Sequence, residues 1–517
     1  MPIKPSQKAR SYAVTVSAPV GGWNARDALP EMKPNEAVYL TNWFPGTSSV
    51  IQRYGFTQAS TGLGAQVESL FAYSGGTASK LFGVAGTSIF NCTAGGAVGA
   101  ADVTGLSNAR FQYVNVATSG GNFMLCVNGA DKLRGYNGTA WWADGDGTHD
   151  ITGINTATCI NINLHKNRVW LIEAGTLNAW YLPTSAIAGA ATSFPLQGVA
   201  QLGGYIMATG TWTMDAGYGV DDMAVFVTNK GEVIVYKGTD PASASTWSLV
   251  GVWRLGSPIG RRCLYKYAGD LLLISQDGVA PMSGALQSDR LDQRAELTNN
   301  IQKAISDAVT NYGSNYGWQL LSFPKENQLY LNVPIATGST QQQYVMNTIT
   351  KAWCNFTGWN ANVFELYGDN LYFGGNGFIG NAWSGLSDNG ANIQTTGKQA
   401  FNYCGDPTAF KRWTLMRPMI LSDGVPSILC GVDVDFQDID LTGALQFSAS
   451  TYATFDGVGP TSYWDTAVWG GALSIIRNWQ GINGMGNCAA PRLKTGSMNI
   501  RIEWVNTELV MENGGIL

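Results

Sequence analysis

The sequence predicts an all-β fold: a β-propeller of six or seven blades, an additional β-sandwich-like platform domain and a helical insertion. Three observations predict it. From Val67 to about Ser384, short apolar strands return in pairs across a Gly, Asn or Asp turn. The starts of these pairs lie about 40–60 residues apart, the length of one four-stranded blade. Near Gly385 the repeat stops, and apolar–polar alternation continues in longer strands between Gly and Pro turns.

Residues 1–64 read as an N-terminal arm that docks on the platform. Within it, GGWNARDALPEMKPNEAVYLTNWFPGTSSVIQRYGF spans residues 21–56. Pro34 lacks the N–H that a first helical turn leaves unpaired, and Glu36 suits the positive end of a helix. A short helical turn is therefore expected, carried on by Ala37, Val38, Leu40 and Thr41 and stopped by Pro45-Gly46.

Residues 65–385 carry the repeat, in stretches such as SKLFGVAGTSIFNCT, GNFMLCVNGADKLRGYNG, KNRVWLIEAGTLNAWYLP and GDLLLISQDGVAPMSG. One small sheet cannot cover both of its faces, whereas sheets packed radially bury them and expose only short edges. The first strand of each hairpin is nearly unbroken in apolar character, which suggests an inner strand buried on both sides. An ordinary β-sandwich is the competing architecture, although seven similar hairpins in a row would strain it. Residues 288–313 interrupt the pattern: Leu291, Leu297, Ile301, Ile305 and Val309 form an apolar stripe ending at Gly313, as in one or two amphipathic helices. Such an insertion serves either as a lid or as a contact to a neighbour. Residues 386–517 read as the platform β-domain.

Charged residues make up only 13 % of the chain, against about 25 % in ordinary domains. A neutral surface of this kind suits coverage by partner subunits. The net charge of −5 comes without basic runs or an acidic tail, so nothing points to tight phosphate tracking. The eight cysteines have no metal-ligand spacing and read as buried free thiols made in a reducing cytoplasm. SYAVTVSAPV is too polar and short for a signal sequence, and no apolar run approaches ~18 residues, so no membrane insertion is expected.

Only His149 and His165 could serve a histidine-based site. His165 precedes a strand and reads as a surface or turn residue. His149 lies in ADGDGTHDITG, where Asp144, Asp146 and Asp150 form either a solvated acidic turn or a weak cation site that lacks the EF-hand pattern. Asp433 and Asp435, at i and i+2, fit a solvated strand face better than a catalytic carboxylate pair. With no P-loop, dinucleotide fingerprint or nucleophile elbow present, no catalysis, cofactor or metal is expected.

Residues 21–56 resemble the N-terminal signature of the tail nozzle proteins of short-tailed bacteriophages, the packaged-DNA stabilisation or tail tubular protein B-like proteins. The resemblance rests on Gly21-Gly22-Trp23-Asn24, Pro34, Asn42-Trp43-Phe44-Pro45-Gly46 and Arg53-Tyr54-Gly55-Phe56. Further islands are Tyr236–Leu264, the helical stretch after SDRLDQRAELT, and FKRWTLMRP at residues 410–418. It implies a structural virion protein made in the host cytoplasm, a homo-hexamer below the portal and its head-to-tail adaptor. Such a ring surrounds double-stranded DNA without reading its sequence, helps retain the packaged genome and docks tail fibres or spikes. Trp23, Trp43, Phe44, Arg53 and Trp413 are then candidate interface residues. The alternative is a propeller-type glycan-binding or polysaccharide-degrading receptor-binding tail protein.

Overall fold

A computed structural model of the chain describes residues 11–76, 78–215, 220–285, 297–438 and 473–515. It is a mostly β-sheet fold with several small four-stranded sheets and a short helical insertion. The chain divides into two compact units, one of Gln58–Gln343 with Trp359–Ala382, the other of Met1–Thr57, Tyr344–Gly358 and Trp383–Leu517.

In the first of these units the hairpin repeat becomes a succession of small antiparallel sheets. One runs Gln112–Thr118, Gly121–Val127, Arg134–Tyr136, Trp141–Ala143 in strict chain order. The next runs Cys159–His165, Arg168–Glu173, Asn178–Tyr181, Thr192–Pro195, and the one after it Ile206–Asp215, Val220–Thr228, Glu232–Gly238, Trp247–Arg254. Leu264–Tyr267, Asp270–Ser275 and Gly278–Pro281 follow, and then Gln319–Phe323 with Gln328–Ala336. The last strands, Val363–Tyr367, Asn370–Gly374 and Asn376–Ala382, join the long strand Phe56–Ser74 with which the series begins.

The apolar runs are second strands, which corrects the expectation that they would be innermost. In Gly121–Val127, Met124 and Cys126 pack into one core with Phe71 and Phe82 of the preceding sheet and with Phe111, just before the first strand of their own sheet. Leu125 and Val127, pointing the other way, share a core with Ile162, Val169 and Leu171 of the following sheet. Arg168–Glu173 repeats the arrangement: Val169 and Leu171 face back, while Trp170 and Ile172 face Phe226, Ile234 and Trp247 ahead. A strand that is hydrogen-bonded on both edges and packed on both faces has no wet side, so its sequence loses the polar alternation.

The helical insertion is Gln302–Tyr312, with Ile301, Ile305 and Ala308 forming its buried stripe. The preceding part of the expected helix, including Leu291, lies outside the described residues.

The other unit has two sheets with a shared core. In one, Phe410–Ser422 pairs with Ile502–Gly515 on one edge and with Ser474–Ile476 and Gln480–Gly486 on the other. Ser11–Ser17 pairs antiparallel with residues 506–512, so the start of the described chain lies beside its end. The second sheet places Glu36–Thr41 between Ile393–Gln399 and Trp353–Thr357 and continues through Ala489–Ser497 to Ser427–Val434. Trp413, Met416, Leu509 and Met511 of the first sheet meet Val434 and Ala489 of the second.

The turn expected from Pro34 to Thr41 is instead the strand Glu36–Thr41, preceded by a single 3-10 turn at Leu29–Glu31. Local propensity is a weak prior. Here it yields to burial of Ala37 and Leu40 and to pairing with Ile393–Gln399. Glu36 accepts hydrogen bonds from the Lys33 N–H and the Asn24 amide at 3.0 and 2.7 Å, a fixed role in a folded loop.

Candidate functional site: a polar cavity and a buried arginine hub

Seven strands of the sheet-repeat unit, six at a sheet edge together with the long strand Phe56–Ser74, contribute to one cavity of about 790 Å³. Its walls include Leu70, Tyr113, Asn163, Thr209, Tyr265, Leu320 and Glu365, one from each. These strands carry polar residues because one face lines open space, which is why they are the less apolar members of their sheets. The volume is that of a small-molecule site, not of a duplex.

The charge in this cavity is unbalanced. Lys166 lies 3.8 Å from Asp222, but Arg261 and Arg262 have no carboxylate within salt-bridge distance among the described residues. Arg262 donates through Nη2 to the Glu68 carbonyl, Ser69 Oγ and the Phe111 carbonyl, whereas its buried Nη1 has no acceptor. Gln112 Nε2, on the same wall, is likewise buried without an acceptor. Arg261 donates to the Asn128 carbonyl at 3.2 Å, and burial lowers its pKa. Burial pushes the Glu365 carboxyl up to about 7, opposed by the Tyr113 hydroxyl, the Leu366 N–H and the Arg262 charge.

A second cavity of about 880 Å³ shares Arg261 with the first. Tyr316 lies on its wall, with the Arg262 guanidinium 5.1 Å and the Arg110 guanidinium 4.6 Å from its ring centroid. Arg110 is neutralised by Glu68 at 3.0 Å. No sequence motif marks this arrangement, because its members come from separate strands and loops.

His165 is buried, which corrects its assignment to the surface. Its Nδ1 lies 3.2 Å from Thr211 Oγ1, and its Nε2 has no partner. Thr211 directs its own proton to the Leu164 carbonyl, so Nδ1 carries the hydrogen and donates. Burial lowers the pKa from 6.5 to about 4. Between those values the unfolded chain binds the extra proton, so this contribution is complete above pH 6.5 and is lost as pH falls toward 4. The expected loss is about 3 kcal/mol. The raised Glu365 carboxyl acts with the opposite sign over the same range, so the His165 contribution is read as a difference: the urea midpoint of His165→Gln should rise relative to that of the wild type as pH falls from about 7 to 5.

The candidate interface residues lie mainly inside the other unit. Trp43, Arg53 and Trp413 have no exposed surface, and Phe44 is buried. Trp43 packs 5.9 Å from Trp504, and a Cβ at Gly397 would come within 3.3 Å of both rings. Phe44 meets Phe356 and Trp383 edge-on, and half-buried Trp23 stands edge-on to Tyr344 at 5.2 Å.

Arg53 is the hub. It holds Asp388 through two hydrogen bonds of 2.8 and 2.6 Å, the Asn42 amide oxygen at 2.9 Å, and the Tyr54 and Thr357 carbonyls at 3.0 and 2.7 Å. Asn42, at φ 59°, also donates to Thr357 Oγ1 and the Gln394 carbonyl. A planar fork with five donors suits this work, and lysine could not replace it.

Asp433 is also buried, contrary to a solvated strand face. It pairs with Lys398 at 2.7 Å and Arg492 at 3.1 Å, and both cations reach Asp438 as well. Asp144 accepts from Ile151 N–H and Thr156 Oγ1, while Asp146 caps the backbone of Thr148 and His149, so this loop spends its carboxylates on its own turns. Among the described residues, no group of three or more His, Cys, Asp and Glu side chains could hold a metal ion. All eight cysteines are free, six of them buried. Among the described residues no helix is long and apolar enough to cross a membrane.

No protein-family profile matches the chain, and no curated protein matches it. Among solved structures, the fold is loosely similar to BBS1N in its complex with ARL6DN, at 14 % identity and a TM-score of 0.26, over 41 % of this chain and 62 % of that one. Raptor of Chaetomium thermophilum gives 11 % identity and a TM-score of 0.38, over 68 % of this chain and 30 % of that one. The β-propeller domain of Myceliophteria thermophila Cps50 (Swd1) gives 12 % and 0.37, over 64 % and 98 %. The chain thus spans less than two thirds of the length of the first two.

Proposed function

We propose that this chain is a structural virion protein without catalytic activity, the tail nozzle of a short-tailed bacteriophage. In this reading the sheet-repeat unit is a seven-bladed propeller, closed where Asn376–Ala382 joins Phe56–Ser74, and the other unit is a sandwich-like platform. Six copies form a ring below the adaptor, continue the DNA channel, retain the packaged genome and dock fibres or spikes. The observation that carries the reading is the resemblance of residues 21–56 to the nozzle signature. In support, those residues are architectural: Asn42 and Arg53 are tied to Thr357 and Asp388, and Trp43 to Trp504. A duplex would pass through the lumen between subunits, since the 790 Å³ cavity within one chain has small-molecule dimensions.

Negative-stain imaging of the purified protein mixed with its adaptor tests the proposal. A six-fold tube is the expected result. Lone particles that bind or clear host polysaccharide would overturn it in favour of a receptor-binding tail protein.

A further inference from the structure

We propose that the cavity lined by those seven strands is a binding site for a small oxyanion, the sulfate, phosphate or carboxylate group of a ligand that fits within the chain. Four cationic side chains line it, Lys166, Arg261, Arg262 and Lys266, against two acidic ones, Asp222 and Glu365. Asp222 is engaged by Lys166 and by Thr213 Oγ1, which leaves Glu365 as the remaining carboxylate on the wall.

Two partly desolvated arginines on one cavity wall without a carboxylate partner are costly unless something neutralises them. Their protein acceptors are backbone carbonyls and one hydroxyl, which satisfy N–H groups but supply no negative charge. Arg262 Nη1 and Gln112 Nε2 also lack acceptors, but both atoms are buried behind the wall, so the cationic groups themselves carry the selection. A wall with excess positive charge selects a ligand made of acceptors with negative charge. A neutral sugar alone would leave the charge unbalanced.

Glu365 gives the site a pH dependence. It faces Tyr113 from one sheet, Tyr265 from another and Arg262 from the loop before that sheet. Burial holds its carboxyl near 7, so below neutrality it is uncharged and leaves Arg262 to the ligand; above neutrality it competes for Arg262. Anion affinity therefore falls as pH rises.

Isothermal titration of the full chain tests this with two probes whose charge is fixed between pH 6 and pH 8, sulfate for phosphate-type groups and glucuronate for a carboxylate on a sugar. At least one should give saturable binding that weakens by about tenfold from pH 6 to pH 8. The near-isosteric Glu365→Gln should bind at pH 8 as wild type binds at pH 6 and lose the pH dependence. Arg262→Gln should abolish binding. If that variant unfolds, Arg261→Gln, which breaks only one contact to a carbonyl, should weaken binding by about tenfold. A sulfate response assigns a phosphate-like ligand, and a glucuronate response an acidic sugar. Absence of saturable binding by both probes would overturn the proposal, as would equal heats from chloride at matched ionic strength or unchanged binding in Glu365→Gln and Arg261→Gln.

Discussion

Arg53→Ala is expected to destabilise the two-sheet unit by about 3–5 kcal/mol, the usual result of removing one partner from a buried ion pair. The loss has two parts. Asp388, only 13 % exposed, would be left without its bidentate cation, and the Thr357 and Tyr54 carbonyls would lose their donors. Arg53→Lys should recover little, because an ammonium cannot span two carboxylate oxygens and the Asn42 amide oxygen together. The two units need not unfold in one step, so global melting is a poor readout. Hydrogen exchange followed by mass spectrometry is suitable: amides of Ile393–Gln399 and Trp353–Thr357 should lose protection, while those of Arg168–Glu173 should not change. Unchanged exchange in the first two strands would refute the hub role.

Trp43→Ala should cost a similar amount, about 3–5 kcal/mol, for a different reason. The indole has no exposed surface and fills the space over Gly397 beside Trp504, so truncation leaves a cavity between two strands that cannot collapse onto it. Trp43→Phe should recover about half of that loss. The expected phenotype is reduced protection along Ile502–Gly515, with any failure to assemble following from misfolding. A Trp43→Ala chain with wild-type exchange that stays monomeric by mass measurement would instead place the residue's role at a contact between subunits.

The repeat was legible in the sequence because of the second strands. Met124, Leu125, Cys126 and Val127 are buried on both faces, and burial on both faces writes an unbroken apolar run. The opening strands were hard to assign for the converse reason: Asn161, Asn163, Thr209 and Thr211 face the cavity and read like an outer edge. Trp23, Trp43, Phe44 and Trp413 were legible as residues that must dock, but hydrophobicity says that a side chain is covered and not by what. Asp433 was misread because its partners, Lys398 and Arg492, lie on strands distant in sequence, and a buried pair leaves the same i, i+2 pattern as a wet strand face. Likewise, the acceptors around Arg262 come from residues distant in sequence, and periodicity carries no trace of them.

The pairing of Ser11–Ser17 with residues 506–512 has a consequence for biosynthesis. The earliest described strand to leave the ribosome has no hydrogen-bonding neighbour until residues 506–512 have been translated, and Glu36–Thr41 likewise waits for Ile393–Gln399. Nascent chains on a shared messenger therefore lack a finished two-sheet unit until that point. Translation of residues 506–512 sets the earliest moment at which that unit can be complete, so its first strands stay unpaired through most of the synthesis of the residues described.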